Sequence, residues 1–163
     1  MSDPCPMPTP GPQHEHVLRG VGTWDVDCKH FMDPTQPPME SKATEVVEAL
    51  GGFWTIGRFE GQVMGQAFSG VATLGFDPTR NCYVTTWVDS MMPQLWFMEG
   101  NLDEGGKSFK FEGPGPDFTG EGTTTWKIEF DLKSDDEQVM RMFAKTPDGS
   151  FFMTMENTYH RRK

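Results

Sequence analysis

The chain has 163 residues, of which 36% are hydrophobic, and it carries a formal net charge of −10. A chain of this length is typical of a single domain, and it can bury enough surface to fold without disulfides or a structural metal. The acidic charge argues against nucleic acid as a partner, because phosphate backbones repel it. The one basic cluster, Arg161-Arg162-Lys163, is interpreted as a solvated tail.

The cysteines and the first residues indicate the compartment. Three cysteines, Cys5, Cys28 and Cys82, are widely spaced, which fits a reducing environment better than a disulfide framework. The first residues have neither the basic start nor the apolar core of a secretory signal. The uncharged run 61–76 is too short and too polar to cross a bilayer. We therefore predict a cytoplasmic protein with no membrane span.

The beginning of the chain differs in composition from the rest. Residues 1–12 contain five prolines and are predicted to form a flexible arm, with the domain at 13–163. A short helical turn is expected between Pro12 and Arg19, because proline suits a first helical turn and Gly20 would end it.

From Val21 onward, apolar and polar residues alternate with the period of a β-strand. In the clearest run, 125–132, the residues Trp126, Ile128, Phe130 and Leu132 share one face. Ten such runs are predicted, at 22–31, 40–49, 53–60, 66–76, 82–89, 94–102, 107–112, 123–133, 137–145 and 150–160.

Most of the connections between these runs are short and rich in turn residues, so neighbouring strands must be antiparallel. An open sheet of this kind would leave two exposed edges, which closure removes. The sequence therefore predicts an all-β, antiparallel, up-and-down barrel of about ten strands, with a two-sheet sandwich as the alternative. The longer segments 32–39 and 113–122 are predicted loops, either lids over the barrel mouth or ordinary surface connections.

Gly22-Thr23-Trp24, at the start of the first strand, resembles the Gly-x-Trp motif of lipocalins and their calycin relatives. In that superfamily the tryptophan closes one end of the barrel, often beneath an arginine from the end of the chain. The resemblance implies this role for Trp24, with Arg161 or Arg162 as its partner. The later Thr-Asp-Tyr signature is missing, which separates the chain from typical secreted lipocalins.

A resemblance to one family covers almost the whole chain from about Gly11. It rests on the segments 21–26, 50–54, 73–79, 83–91 and 98–100, in this order and spacing. They are similar to a bacterial family known as domain of unknown function 1579 (DUF1579). This resemblance implies a calycin-type, fatty-acid-binding-protein-like barrel and assigns no activity.

His30 is the first candidate for an interior site. If Trp24 points inward, alternation places Val26, Cys28 and His30 on the same face. Such a histidine could contact a ligand or bind haem iron, or it could be structural. His160, near the end of the last strand, is the second histidine considered for haem.

Other candidate ligand-binding residues belong to predicted strands near the middle of the chain. The segment 87–93 joins two central strands, and aromatic residues follow it. Arg58 or Glu99 could fix the polar end of a ligand. The candidates in this region are Arg58, Trp87, Asp89, Met91, Phe97 and Glu99. The chain's 12 methionines and 13 phenylalanines suit either an adaptable pocket or a filled core.

Familiar catalytic and metal motifs are absent from the sequence. His14 and His16 have no third ligand nearby, so no metal site is predicted. Gly105-Gly106-Lys107-Ser108 precedes a strand pattern and is interpreted as a hairpin turn, since a phosphate loop requires a following helix. No catalytic residue is assigned, and the sequence requires no cofactor.

Three hypotheses of function follow. The leading one is non-catalytic binding of a small, largely apolar or amphipathic molecule inside the barrel. The second is an enzyme, with haem-dependent chemistry through His30 or His160, or isomerisation in the pocket. The third is a structural module that self-associates, for example as a homodimer, through a sheet face containing residues 53–59 and 94–98.

Overall fold

The computed structural model describes residues 5–163 and shows a closed β-barrel with one short helix. The helix α1 spans Pro12–Leu18. The ten strands are β1 Gly22–His30, β2 Met39–Leu50, β3 Trp54–Val63, β4 Gln66–Asp77, β5 Cys82–Asp89, β6 Trp96–Leu102, β7 Ser108–Pro116, β8 Thr123–Leu132, β9 Glu137–Lys145 and β10 Phe151–Arg161. The predicted all-β barrel is confirmed, and the sandwich alternative is wrong.

Each strand pairs antiparallel with the next one in the chain, and β1 pairs with β10 to close the ring. The closing ladder runs from Trp24 opposite Arg161 to His30 opposite Met155. Closure satisfies the backbone groups that an open sheet would leave along its first and last strands.

The two ends of the barrel differ. At one end, here called the helix end, α1 contacts β3 and β4, and Val17 is only 1% exposed. The ring of His14 meets Phe53 edge-on at 5.1 Å, and the hydroxyl of Tyr83 donates to the Gln13 carbonyl at 3.3 Å. The opposite end, here called the far end, carries the loops 31–38, 64–65, 90–95, 117–122 and 146–150. Both predicted long loops therefore lie at the far end.

Strand β7 is longer than the sequence suggested, since it continues to Pro116 through a segment predicted as a loop. Its ladder with β6 stops at Glu112, so Pro114 and Pro116 lie where β7 pairs with β8 alone. A missing N–H costs no ladder bond at such an edge position. Gly115 faces inward, and a Cβ there would lie 2.2 Å from the Trp96 ring.

The β2–β3 ladder also stops before the strands end. It runs from Leu50 opposite Trp54 to Ala43 opposite Gly61, whereas β2 begins at Met39. The start of β2 thus pairs with β1 alone, and this stretch is here called the seam.

The described part of the predicted N-terminal arm touches the barrel. A Cβ on Gly52, in the β2–β3 turn, would lie 2.5 Å from Cγ of Pro10, so the proline ring covers this turn. Residues 1–4 of the arm lie outside the described residues. Between residues 5 and 163, no helix has the length and hydrophobicity needed to cross a membrane.

Arg161 lies over Trp24 at the helix end, with its guanidinium carbon 4.2 Å from the ring centre. The guanidinium donates hydrogen bonds of 2.5–2.9 Å to the backbone carbonyls of Arg19, Val21 and Asp135. The Trp24 indole N–H donates to the Gly20 carbonyl at 2.9 Å. Arg162 instead pairs with Asp25 on the outer wall. One arginine therefore ties the last strand to the segment before the first.

Replacing Arg161 by methionine should lower the free energy of unfolding by about 2–4 kcal/mol, because three carbonyls lose their donors and the indole loses a cation–π contact. Chemical denaturation measures this change. Arg162→Met is the matched control, since its side chain is exposed, and a loss of less than about 1 kcal/mol is expected. Equal losses in the two variants would contradict the assigned role of Arg161.

Candidate functional site

The barrel interior contains a cavity of about 120 Å³ between two clusters of buried side chains. Trp24 belongs to the first cluster, and Val17 of α1 belongs to the second. Most of the cavity's side-chain lining is apolar, formed by Val17, Trp24, Val47, Leu74, Phe109, Phe111, Phe130 and Leu132. An apolar cavity of about 150 Å³ is known to hold benzene. The space therefore suits a small aromatic or short aliphatic body.

Polar side chains reach the cavity from several strands; they include Glu45, Thr55, Thr85 and Gln138. Glu45 is the charged residue among these four; Arg19, Asp135 and Arg161 also border the cavity, at the helix end. It lies in β2 between Ala43 and Val47, and strand alternation turns all three inward. Its cross-strand partners are Trp24 of β1 and Phe59 of β3.

The carboxyl of Glu45 occupies space left free by a glycine. A Cβ on Gly57 of β3 would lie 2.3 Å from Oε1 of Glu45 and 3.7 Å from Cβ of Ala72. Any side chain at position 57 would thus displace the carboxyl. The small residues at 57 and 72 create the recess that holds it.

Burial raises the pKa of Glu45 from its ordinary 4.5 to about 7. The side chain keeps some accessible surface because it borders the cavity, while the barrel wall surrounds it. Among residues 5–163, no group donates a hydrogen bond to this carboxyl, and burial is the cause of its pKa shift. An ionised carboxylate in such surroundings is costly unless a partner is supplied.

Two other groups near Glu45 do not supply that partner. Arg161 also borders the cavity, but its guanidinium is held by backbone carbonyls at the other side of Trp24. Tyr159 is 5% exposed, and burial, followed by the charge of Glu45, raises the pKa of its phenol well above the usual range. The phenol therefore stays neutral, and Glu45 faces no protein cation.

Exchange of Glu45 for glutamine should stabilise the protein at alkaline pH. Glu45 ionises at a higher pH in the folded protein than in the unfolded chain. The free energy of unfolding of the wild type therefore falls as pH rises from 4.5 to 7, and the full loss is reached above pH 7. At pH 8 we expect a gain of up to about 3 kcal/mol, less where cavity water screens the charge. Near pH 4 the variant and the wild type should have similar stabilities.

Urea denaturation across this pH range is the measurement. Glu48→Gln provides the control, since Glu48 lies on the same strand but is exposed on the outer wall. A gain that is independent of pH, or a gain shared by the control, would argue against a buried and unpaired Glu45.

Three of the predicted ligand-binding residues meet at the far end of β5. Trp87 packs inside against Phe59 and Phe68 and donates its indole N–H to Asp89 at 2.8 Å. The other carboxylate oxygen of Asp89 accepts the backbone N–H groups of Met91 and Met92. Asp89 thus orders the loop that follows β5, and Met91 is exposed there. None of the three borders the cavity.

His30 faces inward at the far end, as alternation predicted from Trp24. Burial lowers the pKa of its imidazole, so it is neutral at pH 7. It borders an open groove of about 1090 Å³ that follows the seam from Asp25 to Gly65. His30 does not border the interior cavity.

The remaining candidates lie on the outer wall. Arg58 is exposed on β3, and Glu99 on β6 forms an ion pair with Arg80. Arg80 also lies over the ring of Phe97 at 5.4 Å. His160 is 49% exposed, near the carboxylates of Asp27 and Glu137, so His30 is the one of the two histidines considered for haem that faces inward.

Glu45 is not among the site residues predicted from the sequence. The available signal was its face, shared with Ala43 and Val47 in the β2 pattern, together with a glycine in the neighbouring strand. The described chain contains no group of three or more histidine, cysteine, aspartate or glutamate side chains placed to hold a metal ion.

Sequence comparison places this barrel in a family. The profile described as "Protein of unknown function (DUF1579)" matches residues 9–161. The chain belongs to the DUF1579 family. The resemblance of the sequence to DUF1579 is confirmed, and no curated protein is significantly similar to the chain.

Solved structures share the fold at low sequence identity. Rv2717c from M. tuberculosis has a TM-score of 0.68 and 14% identity, over 94% of this chain and 99% of that one. The S-type phycobiliprotein lyase CPES from Guillardia theta has a TM-score of 0.63 and 15% identity, over 91% and 92%. A barrel described as EF1p2_mFAP2b bound to DFHBI has a TM-score of 0.50 and 10% identity, over 92% and 99%.

Proposed function

We propose that this DUF1579 protein binds a small amphipathic molecule, mostly apolar, in the interior cavity and does not transform it. The observation that carries the proposal is the carboxyl of Glu45, which borders an otherwise largely apolar cavity without a protein partner. A convergent polar group in an apolar recess is typical of ligand sites.

The arrangement of the lining supports binding in one orientation. Rings from β7 and β8 form an apolar surface, while Glu45 and Thr55 of β2 and β3 add polar atoms. A ligand would place its hydrocarbon against the rings and its polar end at the carboxyl. The structurally similar barrel bound to DFHBI is consistent with small-molecule binding by a fold of this shape.

Toluene and benzyl alcohol are suitable probes of the cavity, because their size is close to that of benzene. Either probe, present far above its Kd, should raise the Tm by several degrees through mass action. Ala72→Leu, which fills the cavity from β4, should abolish the rise. Ala67→Leu on the exposed part of the same strand should retain it.

Circular dichroism of both variants checks that the barrel is intact. If neither probe changes the Tm of the wild type, or if Ala72→Leu responds as the wild type does, the proposed cavity site is wrong.

Self-association is a second candidate function. It is favoured by a row of side chains that lie side by side on neighbouring strands of the outer wall. Val46 of β2, Arg58 of β3, Val71 of β4 and Val88 of β5 are successive cross-strand partners. Val46 and Val88 are 38% and 43% exposed, so this row offers valine side chains beside the exposed Arg58 to a second copy of the chain. Such a dimer would be isologous, with the same face on both subunits.

Sedimentation over a wide concentration range tests this second candidate. The wild type should dimerise with increasing concentration, and Val88→Lys should remain monomeric because it places a charge in the row. Asn81→Lys, in the exposed β4–β5 turn, is the control for the added charge. A monomeric wild type at all concentrations would exclude dimerisation through this face.

A further inference from the structure

Resting on the proposed function, we infer that the ligand carries a protonated amine and that its ammonium group pairs with the carboxylate of Glu45. The body of such a ligand would be a small ring or short alkyl chain lying against Phe109 and Phe130. The inference concerns the charge of the polar end, which the proposed function leaves open.

The ionised form of the Glu45 carboxyl has no compensating partner in the protein, which is the first argument for a cation. Glu45 has no hydrogen-bond donor or cation among the described residues, and a buried carboxylate is stabilised only when one is supplied. An ammonium group provides both the opposite charge and N–H donors, whereas an alcohol provides a single neutral donor. A carboxylate ligand would add a second negative charge beside the first.

Two arginines border the cavity, Arg19 and Arg161, and both have partners of their own. Arg19 donates a hydrogen bond of 3.4 Å to the Gly106 carbonyl and lies 3.7 Å from the carboxylate of Asp135. The guanidinium of Arg161 covers the face of Trp24 and uses Nε and both terminal nitrogens on backbone carbonyls. It also lies 3.6 Å from the carboxylate of Asp136. An anionic ligand would therefore meet arginines that already have carbonyl and carboxylate partners. The rest of the lining offers hydroxyls, an amide, the His16 imidazole, the Asp135 carboxylate and aromatic rings, and ring faces attract an ammonium group.

The recess has room only for a small ammonium group. Gly57 and Ala72 leave room for the Glu45 carboxyl itself, and the whole cavity measures about 120 Å³. Benzylamine is a small aromatic ammonium compound, and benzyl alcohol, toluene and benzoate are similar in size without the cationic nitrogen. Comparing these four compounds separates the effect of ligand charge on affinity from the effect of ligand shape.

Pairing with an ammonium group should lower the pKa of Glu45, so that binding near neutral pH releases a proton. The other titratable or charged groups facing this region are His16 of α1, Arg19 just after α1, Cys28 of β1, Asp135 of the β8–β9 turn, and Tyr159 and Arg161 of β10. Burial raises the pKa of the Cys28 thiol to about 11, and the Tyr159 phenol ionises well above 10, so neither titrates between pH 6 and 8.

The experiment measures Kd for the four compounds at pH 8 by calorimetry on the full chain. Benzylamine should bind about tenfold or more tightly than benzyl alcohol, a difference of about 1.4 kcal/mol, and benzoate should bind weakest. Glu45→Gln should remove the preference for the amine, and the outer-wall control Glu48→Gln should retain it. With ¹³C-labelled glutamate, benzylamine should shift the Glu45 carboxyl titration to lower pH, and toluene should not.

The outcomes separate the inference from the proposed function. If benzyl alcohol and toluene bind in the cavity at least as tightly as benzylamine, the amine is wrong while interior binding stands. If the preference for benzylamine over benzyl alcohol survives in Glu45→Gln, the ammonium group is held elsewhere and the inference is overturned. If none of the compounds binds, both the inference and the proposed function fail.

Discussion

The pairing of β1 with β10 is the constraint on which the rest of the structure depends. It brings residues more than a hundred positions apart into one ladder and converts a chain of hairpins into a container. Arg161 secures this closure, because it reaches across the join to the carbonyls that precede β1. Without closure, the inward faces of β2 and β8 would not border a common space, and Glu45 would lie on an exposed sheet.

The recess that holds Glu45 lowers the stability of the barrel. A glycine in β3 makes room for a carboxyl that the apolar wall disfavours in its charged form. Glutamine or a small apolar side chain would fit the same recess at lower cost. Residues that lower the stability of the free protein are common at binding sites, because a ligand can supply the interaction that such a residue lacks.

Much of the fold could be predicted from the sequence, because strand alternation and turn residues are local signals. The turns implied antiparallel neighbours, and the need to remove edges implied closure. The extension of β7 was missed because proline normally ends a strand, and only the ladder shows that Pro114 lies at an unpaired edge. Arg58 and Glu99 were candidates for binding the polar end of a ligand. The strand register of the closed barrel determines which wall each residue faces, and both face outward. Glu45 could not be singled out for the same reason: its importance arises from the glycine that register places beside it.

The seam between β2 and β3 has a consequence for exchange with solvent. Backbone opening is least costly where fewest ladder bonds must break, and the start of β2 is bonded on one side only. The groove beside it is wide, and its rim carries Asp25, Asp27, Glu40 and Glu60. Local fraying of this stretch would expose His30 and the inner faces of β1 and β2 at the far end while the closing ladder stays intact. The cavity beside Glu45 is bordered at the helix end by Arg19, Ser134 and Asp135, all of which are exposed. Solvent therefore reaches the two ends of the interior by different routes, through backbone opening at one end and between side chains at the other.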